Sequence, residues 1–147
     1  MADLAELLER VKAATGPDRE IDVALWLAMT PGATYRTTRV RHDRTGREWD
    51  INEPRINGGA MVEVPEYTAS LDAALALVER VLDTAFIDIE VAKRFVGGEA
   101  HGRAEICGPD ADAYATAATP ALALLAALLS ALAAQNSVGN SQLTRDA

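Results

Sequence analysis

Cysteine is all but missing from this chain, with Cys107 the single example in 147 residues. One thiol forms no intramolecular disulfide and leaves a cysteine-based zinc site without its ligands, so a reducing cytoplasm suits the composition. Histidine is nearly as scarce: His42 and His101 stand alone, neither with a second His or a Cys at metal-ligand spacing. Each reads as a surface or turn residue. A phosphate-binding glycine loop, a nucleophile elbow and a paired metal motif are all absent, so the sequence supports no enzyme class, no metal and no cofactor. Positive charge is short as well, with 14 Lys and Arg against 22 Asp and Glu and a net charge of -8. General nucleic-acid binders draw their affinity from neutralising phosphates with Lys and Arg, so that class is set aside and any phosphate site must be local.

Two further absences concern membranes. Met1 to Arg10 carries acids where a signal peptide would need a basic region and an unbroken apolar run, so export by that route is not expected. From Ala113 to Thr144 there is no charged residue, yet the apolar part of that stretch, Pro120 to Ala134, is alanine-rich and shorter than the roughly 20 residues that cross a bilayer. It reads as a buried helix, not a membrane span.

What is present suits one globular domain with a real core, at 49% hydrophobic and 24% charged residues. Residues 1–134 are expected to form it, followed by a loose polar tail over residues 135–147. Leu4, Leu7, Leu8 and Val11 recur at helical spacing, and Thr15-Gly16-Pro17 should end that helix through a left-handed glycine cap. Asp18 can cap a second helix with apolar stripes on two sides, Ile21, Leu25 and Ala28 on one and Val23, Trp26 and Leu27 on the other, ending at Thr30-Pro31-Gly32. Ser70 opens a third, striped by Leu71, Ala74, Leu75, Val78, Val81 and Leu82, and Thr119-Pro120 opens a fourth, lined by Leu122, Leu125, Leu128, Leu129 and Leu132. That last helix is apolar around much of its circumference and needs cover on several sides, from the second helix or from a partner subunit; hence a homo-oligomer is expected.

Between the helices the pattern changes to strands. Tyr35 to Ile51, rich in Thr, Arg, Val and aromatics, is interrupted by Asp43-Arg44-Thr45-Gly46-Arg47, which suits the three-residue hairpin with a glycine bulge. In that register Arg39 and Arg41 face Ile51 and Trp49, while Val40 and His42 face Asp50 and Glu48. Ala60 to Val64 is expected to add a short strand. Phe86 to Phe95 alternates, with Phe86, Asp88 and Glu90 on one side and Ile87, Ile89 and Val91 on the other, and Gly97-Gly98 would turn it into a strand over Arg103 to Cys107. Cys107 then reads as a small buried group.

Three segments carry a family likeness: Thr15-Gly16-Pro17-Asp18-Arg19-Glu20-Ile21-Asp22 after Leu7-Leu8-Glu9-Arg10-Val11, then Pro65-Glu66-Tyr67-Thr68-Ala69-Ser70-Leu71-Asp72, then Ala118-Thr119-Pro120-Ala121-Leu122. In this order the chain, from about Leu4 to Ala134, resembles the phage ABA-sandwich domain family. The resemblance implies an α+β fold, a layered α-β-α sandwich with a small, mostly antiparallel sheet and about four helices, and an origin in a phage or prophage, with work done in the cytoplasm of a bacterial host. It brings no catalytic residues. Helix capping and core burial account for every residue type in the three segments, so they read as scaffold.

The functional candidates are the residues left over. Arg36, Arg39, Arg41, Arg44 and Arg47 place five guanidinium groups within twelve positions of an acidic chain, with Trp49 beside them. Guanidinium forks bind phosphate or carboxylate bidentately and lie flat on rings. The expectation is a non-enzymatic accessory protein that captures an anionic small molecule, such as a nucleotide signal of host defence, through this hairpin. The alternatives are a solvated strand edge whose arginines pair with Glu48, Asp50, Glu53 or a neighbouring subunit, an acidic inhibitor covering a basic site on a host protein, and a small hydrolase using Asp88 and Glu90.

Overall fold

The computed structural model describes residues 3–82, 86–92, 101–108 and 112–143, with the side chains of residues 91, 92, 101 and 138–143 left aside. Four helices and two small antiparallel sheets build an α+β fold: α1 (Leu4–Ala13), α2 (Arg19–Met29), β1 (Ala33–Arg41), β2 (Glu48–Ile56), α3 (Leu71–Val81), β3 (Phe86–Ala92), β4 (His101–Cys107), β5 (Asp112–Ala117) and α4 (Pro120–Leu143). The α+β class, the four helices and the antiparallel pairing are those expected. β1 and β2 form a separate two-stranded ribbon, while the other sheet runs in the order β3-β4-β5.

Each helix starts where a polar side chain takes up backbone N–H groups that the first turn leaves unpaired. Asp18 accepts from Glu20 N at 2.9 Å and Ile21 N at 3.2 Å, Ser70 from Ala73 N at 3.2 Å, and Thr119 from Leu122 N at 3.2 Å. Asp3, accepting from Ala5 N at 3.1 Å, opens α1. The end of α1 differs from expectation. The chain leaves it through Ala14 in an extended conformation, and Gly16 is not among the glycines with positive φ. Pro17 alone is then enough to prevent continuation. In α2, Ile21, Leu25 and Trp26 are buried while Leu27 and Ala28 are exposed, so this helix is covered along one stripe and not two.

The central element is α4. β4, β5, α1 and α3 all pack against it. Every residue from Ala121 to Leu129 is buried, which explains a helix without a polar face: leucines fill the gaps and alanines let neighbours approach. Burying each of Leu122, Leu124, Leu125, Leu128 and Leu129 contributes about 2 kcal/mol. The cover over Ala121 to Leu129 comes from elements of the same chain, with α1 and α3 in place of α2. Pro120–Ser137 is long and apolar enough to cross a membrane by length and composition, and 56% of it is buried inside the fold. α4 also runs on past Ala134 to Leu143, through residues expected to form a loose tail. Ser137 Oγ donates to Ala133 O at 3.0 Å within it.

Two parts of the sheet reading change. Ala60 to Val64 yields no strand, only a single bridge of Met61 to Arg55. Conversely β5, Asp112–Ala117, follows β4 as an unexpected third strand. The Gly97-Gly98 turn and Lys93 to Phe95 lie outside the described residues.

The scaffold segments do more than cap helices. Asp22 is buried, and its Oδ1 accepts from Thr68 N and Thr68 Oγ1, both at 2.8 Å, while Arg19 NH1 lies 3.3 Å from its Oδ2. Thr68 Oγ1 in turn accepts from Asp18 N at 2.8 Å, and Arg19 donates to Val64 O at 2.6 Å and Pro65 O at 3.1 Å. The start of α2 thereby clasps the segment that leads into α3. Burial pushes the Tyr67 phenol above its ordinary value, with Asp22 adding to the shift and Arg80 opposing it.

Candidate functional site

The arginine-rich segment is an arm. β1 packs on α2 as well as on β2, and no other element makes substantial contact with the ribbon among the described residues. Arg55, bonded to Gly59 O at 2.7 Å and Glu53 at 3.3 Å, ties down its base. At the tip, His42 N donates to Arg47 O and Gly46 N donates to His42 O, both at 2.9 Å, so the loop has four residues, Asp43 to Gly46. Gly46 takes the left-handed conformation expected of it, at φ 68°.

The strand register is therefore one residue away from the expected one: Arg39 faces Asp50, Val40 faces Trp49 and Arg41 faces Glu48. The cause is the His42 imidazole. Its Nδ1 accepts from Arg44 N and Thr45 N at 3.3 Å each, giving the loop's inner N–H groups a partner and adding one residue to the turn. A one-residue slip moves every side chain of one strand to the opposite face.

The six candidate residues are thus divided. Arg39 and Arg41 share a face with Glu48 and Asp50, and Arg39 Nε sits 3.2 Å from Asp50 with NH1 3.9 Å from Glu48. These exposed pairs contribute about 0.2–1 kcal/mol each. The other face carries Arg36, Arg47 and Trp49 together with Val40 and Ile51, while Arg44 belongs to the loop. Trp49 does not lie beside Arg41. Arg36, Arg41, Arg44 and Arg47 make no side-chain hydrogen bond or ion pair among the described residues.

A cleft of about 440 Å³ opens at the tip, lined among the described residues by His42, Thr45, Arg47 and Trp49. That volume falls in the range that holds small ligands. Arg47 and Trp49 are the expected residues here; His42 and Thr45 are additions. The local signal for His42 was its place just before a turn, where a ring nitrogen can bond backbone N–H groups as Asn and Asp do. Since Nδ1 is engaged as an acceptor, the neutral ring carries its proton on Nε2.

The other candidates stand on the exposed face of the three-stranded sheet. Asp88 faces Glu105 and Glu90 faces Arg103 across the β3–β4 pair, with Arg103 3.6 Å from Glu90 and 4.6 Å above the Tyr114 ring. Asp88, Glu90, Arg103 and Glu105 surround only about 30 Å³, too little to enclose an organic substrate. No cluster of three or more His, Cys, Asp and Glu residues is placed to hold a metal ion among the described residues. Cys107 is exposed at the end of β4, and not buried as the sequence led us to expect, because its alternation places it on the outer face with Arg103 and Glu105. Desolvation by adjacent atoms and the carboxylates of Glu105, Asp112 and Asp88 push its thiol above the ordinary value. Compared with known proteins, the chain matches no family model, no curated protein and no solved structure.

Proposed function

We propose that this chain is a non-enzymatic binding protein that captures a phosphate-bearing small molecule of nucleotide size in the cleft at the arm tip. The observation behind this reading is Arg47, a guanidinium without a counter-ion among the described residues, lining a cleft of about 440 Å³ together with Trp49. A base stacks on the indole while the phosphate takes the Arg47 fork, with Arg44 in the adjoining loop as a second cation. Nothing in this needs bond cleavage. The likeness to phage ABA-sandwich proteins gives the reading its setting: a phage or prophage accessory protein that sequesters a nucleotide defence signal in the host cytoplasm.

Isothermal titration with a panel of mono-, di- and cyclic nucleotides tests it. Arg47→Ala and Trp49→Ala should each weaken binding by about tenfold or more, as expected for a charge-assisted bidentate pair or a stacked ring. Arg39→Ala, whose guanidinium Asp50 already holds, should change affinity much less. Saturable binding that ignores both Arg47 and Trp49 would remove the cleft from the account.

A further inference from the structure

We propose that the arm of one copy lies on the acidic outer face of the β3–β4–β5 sheet of a second copy. Both surfaces are on this chain, and each lacks what the other has. The arm presents Trp49, 42% exposed, and Ile51, 39% exposed, on one face, flanked by Arg47 and by Arg36 opposite Glu53, neither arginine in an ion pair among the described residues. The sheet presents Phe86, 81% exposed, and Tyr114, 52% exposed, among carboxylates.

The electrostatics of the sheet point the same way. Asp88 stands directly opposite Glu105, an arrangement of like charges that destabilises a strand pair. The one cation on that face among the described residues, Arg103, is already engaged by Glu90 and Tyr114. A guanidinium arriving from outside relieves the repulsion. Charge along the sequence is divided to match: residues 33–56 hold six of the chain's 14 basic residues and four of its 22 acids, so the rest is strongly acidic.

Among the described residues no substantial contact joins the ribbon to β3, β4 or β5 of its own chain. Arm-to-arm packing is disfavoured because joining two Trp49 faces gathers the Arg36 and Arg47 of both copies. Arm-to-sheet docking, made reciprocally, closes a two-fold dimer with each contact made twice. The proposal stands without ligand capture, but it uses Arg47 and Trp49. Carboxylates of the second copy and the phosphate of a ligand then exclude one another.

Light scattering on the full chain without ligand tests this. The wild type should move from 15.6 kDa to twice that mass with rising concentration at low salt, and fall back at high salt. Arg36→Glu with Arg47→Glu should stay monomeric, as should Asp88→Lys with Glu105→Lys. Mixing the two double variants should restore a one-to-one dimer, because one supplies a working sheet and the other a working arm. A wild type that stays monomeric at every concentration overturns the proposal; so does a dimer that survives in either double variant. Alkylation of Cys107 in the wild type provides an independent reading that needs no substitution, and it should slow as the protein is concentrated. An unchanged rate, alongside dimerisation, would place the interface elsewhere. Nucleotide titration of Asp88→Lys with Glu105→Lys, whose arm is intact and whose sheet is blocked, reads the cleft without competition from docking, so the two readings fail separately.

Discussion

Asp22 is the residue whose removal should be felt most widely. It is buried, accepts two hydrogen bonds from Thr68 and lies against Arg19. Asp22→Ala strands the buried Thr68 N–H, leaves the Thr68 hydroxyl only its longer bond to Asp18 O at 3.2 Å and loosens Arg19 from its carbonyl partners, so we expect a loss of about 3 kcal/mol of stability in denaturant unfolding. Asn at the same position keeps an acceptor for Thr68 and should cost less. Cys107 gives the complementary surface measurement. Its raised pKa means less thiolate at any given pH, so alkylation near pH of about 8 should run slower than for free cysteine. Glu105→Gln removes a neighbouring charge and the Sγ contact at 3.6 Å, lowers the pKa and should speed the reaction. An equal rate in the two proteins would show that Glu105 does not set the field there. Asp18 and Ser70 were legible as caps because capping is local. Asp22 was not, because its partner Thr68 lies 46 positions away and nothing within α2 announces a long-range bond.

Among the elements, β4 and the start of α4 approach too closely for a side chain to come between them. Gly102 lies so close to the backbone of Thr119 and Pro120 that an added Cβ would collide with it, and backbone cannot step aside as a flexible side chain does. Gly102→Ala should therefore destabilise by about 3 kcal/mol or more, read as a lowered melting temperature, with the secondary structure retained at low temperature. The ribbon behaves in the opposite way. Because α2 is the only other element it packs on substantially among the described residues, replacing residues 37–52 by a two-residue Asn-Gly turn should leave the stability of the body within about 1 kcal/mol and abolish ligand binding. Helices and the β1–β2 pairing were readable from caps, breakers and alternation. The register was not, since a histidine ring bonded to the Arg44 and Thr45 backbone adds a loop residue that turn preferences do not encode. β5 escaped notice because Ala113, Ala115 and Ala117 make its inner face, and alanine carries little strand signal.

At the scale of the whole molecule, the arm and the body have opposite needs. The body is self-sufficient: α4 finds cover from α1, α3 and the sheet, and the polar groups of the α2 clasp satisfy one another. Its surface is left with an acidic sheet face and a basic ribbon that among the described residues has two strands. The central place of α4 also has a consequence in time. Since α1 and α3 both pack chiefly on α4, which follows them in the sequence, neither has its principal packing partner until that segment has been synthesised. The β1–β2 hairpin, closed by a four-residue loop, can form on the microsecond scale of about 1–10 μs, whereas the core must wait for contacts spanning more than a hundred positions. During synthesis the nascent chain thus carries a finished arm and an unfinished body, with the leucines of its earlier helices exposed to chaperones until α4 arrives.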